Sequence, residues 1–156
     1  MQQGHPYWER TMDFARGCSW RAGPVLADRM AANAFGEQER VIVAVDGGEI
    51  AGFCTFSERD ELPEDAPFGP FAGFVFVDEK HRGQRLSGRM IDRAAACARA
   101  AGRQKLYVLS GEQGLYEKYG FVKIGTCRTV WGTTEQLFER PAAETPAETA
   151  SDVAAP

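Results

Sequence analysis

The sequence predicts a mixed α/β fold built on one sheet, antiparallel in its N-terminal half and of βαβ type in its C-terminal half. Three observations carry that reading. Two apolar runs, the first of them largely β-branched, flank Asp46-Gly47-Gly48, residues that tolerate the positive φ of a tight hairpin turn. The apolar run Phe71–Val77 passes through a basic, glycine-bearing turn straight into an alanine-rich amphipathic stretch. A second short apolar run, 106–109, comes next, as a parallel strand follows its crossover helix.

Taken in order, residues 7–15 space Trp8, Met12 and Ala15 by four and three, which fits a short amphipathic helix closed by Gly17-Cys18. Pro24 sits where the first turn of a helix accepts proline, and Val25, Leu26, Met30 and Ala34 then recur on one face until Gly36. Residues 40–45 and 49–56 form the hairpin. From 57 to 70 the composition changes to three prolines (Pro63, Pro67, Pro70) and five acids (Glu58, Asp60, Glu61, Glu64, Asp65) against Arg59, a long acidic loop.

Phe71–Val77 is the central strand, and its apolar side chains predict burial on both faces. Residues 86–101 form a helix with Met90, Ile91, Ala94, Ala95 and Ala98 on the core stripe and Gly102 as its stop. After strand 106–109 come a turn at 110–114, one helical turn at 115–119 closed by Gly120, a strand from Phe121, and further strand candidates at 128–131 and 135–139. The result is one domain over 1–140. The remainder, 141–156, rich in Pro, Ala, Glu and Thr, is expected to be a disordered tail.

Length and composition limit the functions open to such a chain. With 156 residues, 44% hydrophobic and 26% charged, it has the make-up of one globular domain with a real core. No apolar run approaches the ~20 residues of a membrane span, and the first residues lack the apolar segment of a signal peptide, so a cytoplasmic location without a membrane partner is expected. Four cysteines (Cys18, Cys54, Cys97, Cys127) form no C-x-x-C pair and meet no clustered histidines, which argues against a zinc site or a disulfide framework. No metal is expected. The net charge is −4, and Glu144, Glu148 and Asp152 of the tail supply three of those charges, so nothing favours a nucleic-acid partner. A homodimer is open.

The most informative run is 74–91. A strand that ends in a turn and opens into a helix aims unpartnered N–H groups and the positive end of the macrodipole outward, an arrangement suited to phosphate. Charge agrees: from Glu79 to Arg93 there are five basic residues (Lys80, Arg82, Arg85, Arg89, Arg93) against two acidic ones (Glu79, Asp92). No Gly-Lys-Ser/Thr follows the turn, so it is not a P-loop.

Over residues 41–138 the element order, together with two local motifs, resembles the GNAT family of N-acetyltransferases. One motif is the pyrophosphate loop, Arg or Gln, two residues, Gly, one residue, Gly or Ala, for which the chain reads Arg82-Gly83-Gln84-Arg85-Leu86-Ser87 after Val77. The other is the short aromatic helix closing on Gly-Phe, here Leu115 to Phe121. The first motif departs from the pattern at Arg85, where glycine is usual, and at Ser87, where Gly or Ala is usual. A left-handed backbone at 85 would cost a side chain about 1–2 kcal/mol, so helical φ is expected there, with the glycine requirement set by clearance.

The resemblance implies a single acyl-CoA N-acyltransferase domain with splayed central strands, using acetyl-CoA as co-substrate and a small-molecule amine as acceptor. The coenzyme would lie against Phe76, Val77, Arg82, Gly83, Gln84, Arg85, Leu86, Ser87 and Gly88, its pyrophosphate on the 83–88 amides and its pantetheine arm along 74–77. The reaction needs a neutral amine, a polarised carbonyl and a proton for the thiolate. By resemblance Tyr116 is the general acid; Tyr119 is its rival, but directly before Gly-Phe it is expected as core or wall. The central strand carries no carboxylate, so the base is sought in Glu112, in Asp60 or Glu61, or in a water chain. His81 is expected as a surface histidine or phosphate contact. The acidic loop could attract a cationic amine or be merely solvated. The alternative to an enzyme is a non-catalytic acyl-CoA-binding or sensing domain of the same fold.

Overall fold

The computed structural model describes residues 1–143. Two helices come first, α1 (Trp8–Gly17) and α2 (Gly23–Ala31). Trp8, Thr11 and Ala15 bury one face of α1, while Leu26, Ala27 and Met30 bury one face of α2. The face expected for α2 is corrected by this: Val25 is 57% exposed and Ala34 lies beyond the helix end, because helical spacing from Met30 selects positions 26 and 27.

The hairpin follows as β1 (Arg40–Asp46) and β2 (Glu49–Ser57), and then β3 (Phe71–Val77), α3 (Leu86–Ala100), β4 (Lys105–Ser110), β5 (Val122–Arg128) and β6 (Thr134–Pro141). The six strands form one sheet in the order β1-β2-β3-β4-β6-β5. Every neighbouring pair is antiparallel except β3 and β4, which run parallel on either side of α3. This is the mixed sheet read from the sequence.

Two corrections fall in the last third. The strand expected at 128–131 is not formed beyond Arg128, the last residue of β5: Thr129 O accepts Gly132 N–H and Thr129 N–H donates to Thr133 O, which makes 129–133 the β5–β6 turn. The body also extends past the boundary at 140, since Pro141 ends β6 and Ala142, 1% exposed, donates its N–H to Gln104 O. The tail expected to be disordered lies, from residue 144, outside the described residues.

The sheet separates two apolar layers. On one face α3 packs Met90, Ile91, Ala94, Ala95 and Ala98 onto Ile42, Cys54, Phe56, Leu106, Val108 and Phe138. On the other, α1 and α2 cover Val41, Phe53 and Phe76. Adjacent residues such as Val41 and Ile42, or Phe53 and Cys54, fall in opposite layers, the period of two that a strand imposes. A smaller cluster of Leu62, Phe71 and Leu137 seats the acidic loop against the β4–β6 half. Among the described residues no helix is long and apolar enough to cross a membrane, and no group of three His, Cys, Asp or Glu could hold a metal ion.

Candidate active site

The sheet comes apart at its centre. β3 and β4 share one register pair, Phe71 with Tyr107, alongside the bond from Tyr107 N–H to Pro70 O at 2.9 Å. Beyond it β4 stays with β6, pairing Val108 with Phe138 and Ser110 with Gln136, while β3 follows β2. The β2–β3 ladder is also interrupted: Thr55 faces Gly73 and Phe53 faces Phe76, so Phe74 and Val75 together oppose Cys54. Phe74 takes φ +48, the left-handed backbone of a bulge. The slot that results has a volume of about 580 Å³ and is lined by Gly73 to Phe76 of β3, Leu109 and Ser110 of β4, Trp20, Asp60, Glu61, Arg82, Ser87, Glu112, Tyr116 and Glu135, among others.

At the C-terminal end of β3 the chain turns toward the helix. Asp78 Oδ1 accepts Glu79 N–H at 3.0 Å and starts a 3-10 turn over Glu79–His81. Gly83 at φ +86 and Arg85 at φ +59, ψ +28 then redirect the backbone into α3. This overturns the expectation of helical φ at Arg85. The glycine usual at this position serves the left-handed backbone itself, and the arginine here adopts that conformation at a cost of about 1–2 kcal/mol. Clearance is the requirement at Gly88 instead, where a β-carbon would stand 3.0 Å from Tyr119 Cε1 and the ring would have to give way.

Among the described residues the N–H groups of 83–88 donate to no acceptor, and the first intrahelical bond, Arg89 N–H to Arg85 O, comes only after them. A second cavity of about 260 Å³ lies over them, lined by Val77, His81, Arg82, Gly83, Arg85, Leu86, Ser87 and Tyr119. Six amides without an acceptor, a helix N-terminus and two exposed arginines suit a pyrophosphate. Within the expected set Phe76 and Leu86 are buried, Val77, Ser87 and Gly88 half-buried, and Arg82, Gly83, Gln84 and Arg85 exposed. Arg82 turns its Nε back to Val77 O at 3.1 Å, and Gln84 reaches Asp46 Oδ2 at 3.3 Å, so its side chain ties the turn to the hairpin.

His81 departs from the expected role as a surface histidine, although it lines the cavity over the 83–88 amides. It is 8% exposed, with Nδ1 3.1 Å from Asp46 Oδ2, and it fastens the phosphate turn to the β1–β2 turn.

The aromatic turn Tyr116–Tyr119 ends at Gly120, φ +86, whose left-handed backbone admits the step into β5. Tyr116 packs against Phe121 and Phe138 at centroid distances of 5.8 and 5.9 Å. Its ring is 7% exposed, yet it lines the slot, and among the described residues nothing hydrogen-bonds its hydroxyl. Burial pushes the phenol above its ordinary value, and the nearby Cys54, Glu112, Tyr119 and Asp60 add to that, so the hydroxyl keeps its proton. Tyr119 stands as wall, half-buried and edge-on to Tyr116 at 6.3 Å.

Glu112 reaches the rim. Its backbone is pinned by Ser110 Oγ at 3.0 Å and by Gln136 Nε2 at 3.1 Å, while the residue as a whole is exposed. Asp60 sits deeper. Burial first, then the charges of Glu61 and Glu135, push its carboxyl from 3.8 to about 6, against the pull of the Glu61 amide and Arg29. Sequence reasoning did not find Trp20 and Glu135 as lining residues, since only the fold brings α1–α2 and β6 to the slot. It placed the pantetheine arm along 74–77 but missed the bulge there, although a glycine inside a strand pattern, here Gly73, signals one.

Parted parallel strands that open a slot beside a helix N-terminus define a mixed α/β fold with its central cleft between β3 and β4. The model of the acetyltransferase (GNAT) domain matches residues 37–123, more than half of the 156-residue chain, and the chain belongs to that family. No curated protein matches it. Solved structures share the fold. One of aminoglycoside 6'-acetyltransferase type Ii superposes with a TM-score of 0.69 at 15% identity, covering 94% of this chain and 97% of that one. An aminoglycoside 6'-N-acetyltransferase complexed with coenzyme A gives 0.66 at 14% identity over 94% and 97%. A GNAT-family acetyltransferase from Staphylococcus aureus Mu50 gives 0.62 at 13% identity over 92% and 98%.

Proposed function

We propose that the chain is an acetyl-CoA-dependent N-acetyltransferase that acts on a primary amine of a small molecule by direct attack on the thioester. The observation that carries this reading is the slot between β3 and β4, which runs from a carboxylate-lined mouth to the free amides of residues 83–88. Such a slot offers strand-like pairing to the amides of a pantetheine arm and anion contacts to its pyrophosphate. The coenzyme A complex of a protein with the same fold supports the choice of ligand.

Tyr116 is the proton donor to sulfur. A complete transfer from a phenol with a raised pKa to a thiolate whose conjugate acid lies near ~8.5 is uphill, so its hydroxyl donates a hydrogen bond that tightens as the carbon–sulfur bond breaks. Glu112, at the rim, is placed to meet the amine as it enters.

Calorimetry with acetyl-CoA tests the ligand: saturable binding at tens of micromolar or tighter is expected, and its absence would refute the reading. Release of free thiol across a panel of amines separates an enzyme from a binding domain. Tyr116→Phe is expected to lower kcat at least tenfold with acetyl-CoA affinity retained, and unchanged turnover would remove Tyr116 as the donor.

A further inference from the structure

We propose that Asp60 is the carboxylate that takes the proton from the acceptor amine. This inference rests on the transferase reading and adds to it the group that makes the nucleophile neutral. Asp60 comes from the β2–β3 loop, not from the central strand, and Gly73 makes its place. A side chain at Gly73 would put its first carbon 3.3 Å from Asp60 Oδ2 and 3.2 Å from Thr55 Oγ1, so the carboxylate leans on the bare backbone of β3, the floor of the slot. Gly73 directly precedes the bulge that turns Phe74 and Val75 out of the β2 ladder.

The other carboxylates of the slot differ in setting. Glu61 and Glu112 are exposed, and Glu135 stands on β6, its Oε2 3.4 Å from the point where a side chain at Gly111 would begin. The charged and titratable groups that bear on Asp60 are Glu61 on its own loop, Arg29 of α2, Glu135 of β6 and Tyr116 on the same slot. With its carboxyl raised to about 6, Asp60 is ionised at neutral pH yet a better proton acceptor than an ordinary aspartate.

The chemistry balances. An ammonium nitrogen has no lone pair, so it must give up one proton before it attacks, and Asp60 receives that proton and passes it to water. The carbon–nitrogen bond then forms and the carbon–sulfur bond breaks. The nitrogen sheds its second proton to water as the amide forms, and the departing thiolate, held by the hydrogen bond from the Tyr116 hydroxyl, takes one proton back from water. Ammonium and acetyl thioester thus yield amide, thiol and one proton released to water.

The test uses the full chain, acetyl-CoA, and n-butylamine, putrescine, spermidine and kanamycin as acceptors, with thiol release followed from pH 5 to 9. Asp60→Asn is expected to lower kcat/KM at pH 7 by about 100-fold with acetyl-CoA affinity kept within threefold. It should also abolish the acid limb near pH 6 that is expected of the wild type. Asp60→Glu should recover part of the loss with the limb restored. Glu64→Gln, which removes an exposed carboxylate paired with Arg59 at 2.9 Å on the same loop, should leave rates unaltered. An Asp60→Asn protein within threefold of wild type with the acid limb in place overturns the proposal and leaves the transferase reading standing. A wild type that binds acetyl-CoA but releases no thiol with any of the four amines overturns both.

Discussion

The edge of the Tyr119 ring closes over Gly88 in the first turn of α3, so that a β-carbon at 88 would stand 3.0 Å from Tyr119 Cε1 and 3.2 Å from Cδ1. This contact joins the turn before α3 to the aromatic turn, whose Tyr119 carbonyl is held in place by Arg140 Nη1 at 3.0 Å. Gly88→Ala would push the ring outward by a few tenths of an ångström, and overpacking of this kind costs about 1–3 kcal/mol. A lower Tm and several-fold weaker acetyl-CoA binding are expected. Shortening the ring as well, in Gly88→Ala/Tyr119→Leu, should recover part of the stability; no recovery would place the strain elsewhere.

Arg85 offers the opposite case, a side chain where the backbone asks for none. Its left-handed backbone, φ +59, costs about 1–2 kcal/mol, and the extra freedom of glycine in the unfolded chain returns about 0.5–1 kcal/mol of that. Arg85→Gly is therefore expected to raise stability by up to about 1 kcal/mol, read as a higher urea midpoint at unchanged m. Arg85→Val should lower it, since a β-branched residue tolerates positive φ least. A glycine variant less stable than wild type would count against the conformation.

Arg85 also shows where sequence reasoning stops. Phe71–Val77 and the stripe from Met90 to Ala98 were legible because periodicity and length state directly which side chains go inward. The parting of β3 and β4 was legible only through the resemblance, for no local pattern encodes the loss of a ladder. At Arg85 residue preference pointed one way and the turn required the other: preference is worth a kilocalorie or two, and the packing of β3 and α3 on either side fixes the path. Asp60 stood as one of several carboxylates on a loop that reads as solvated. What singles it out is its place against Gly73, a contact across the β2–β3 loop that spacing along the chain does not contain.

The hairpin turn supports the 3-10 turn Glu79–His81 through charge. Lys80 Nζ lies 3.3 Å from Glu49 Oε2, and His81 Nε2 is 3.4 Å from the same oxygen without hydrogen-bond geometry. Lys80 first, by hydrogen bond and by charge, and then His81 hold the Glu49 carboxyl below its usual 4.5. A carboxyl lowered in the folded state adds stability that is present above its unfolded value and lost as pH falls through the folded one. Glu49→Gln should therefore unfold at lower temperature than wild type at pH 7, with the two curves converging below about pH 4. A gap that stays constant down to pH 3 would mean that charge is not the cause.

The same linkage runs the other way at Asp60, and gives a readout independent of turnover. Its carboxyl is raised in the fold, from 3.8 to about 6, because burial disfavours the charged form. A raised pKa contributes stability that is complete below the unfolded value and is lost as pH rises through the folded one, so the ionised Asp60 of the neutral protein is a liability. At 1.36 kcal/mol per pKa unit the penalty at pH 8 is at most about 3 kcal/mol. Asp60→Asn, which keeps the shape and removes the charge, is expected to raise Tm at pH 8 and to lose that advantage as pH falls below about 4. Stability gained at a position where activity falls is what a charge held for chemistry, against the preference of the fold, should show. If Asn lowers Tm at pH 8, the carboxylate belongs to the scaffold.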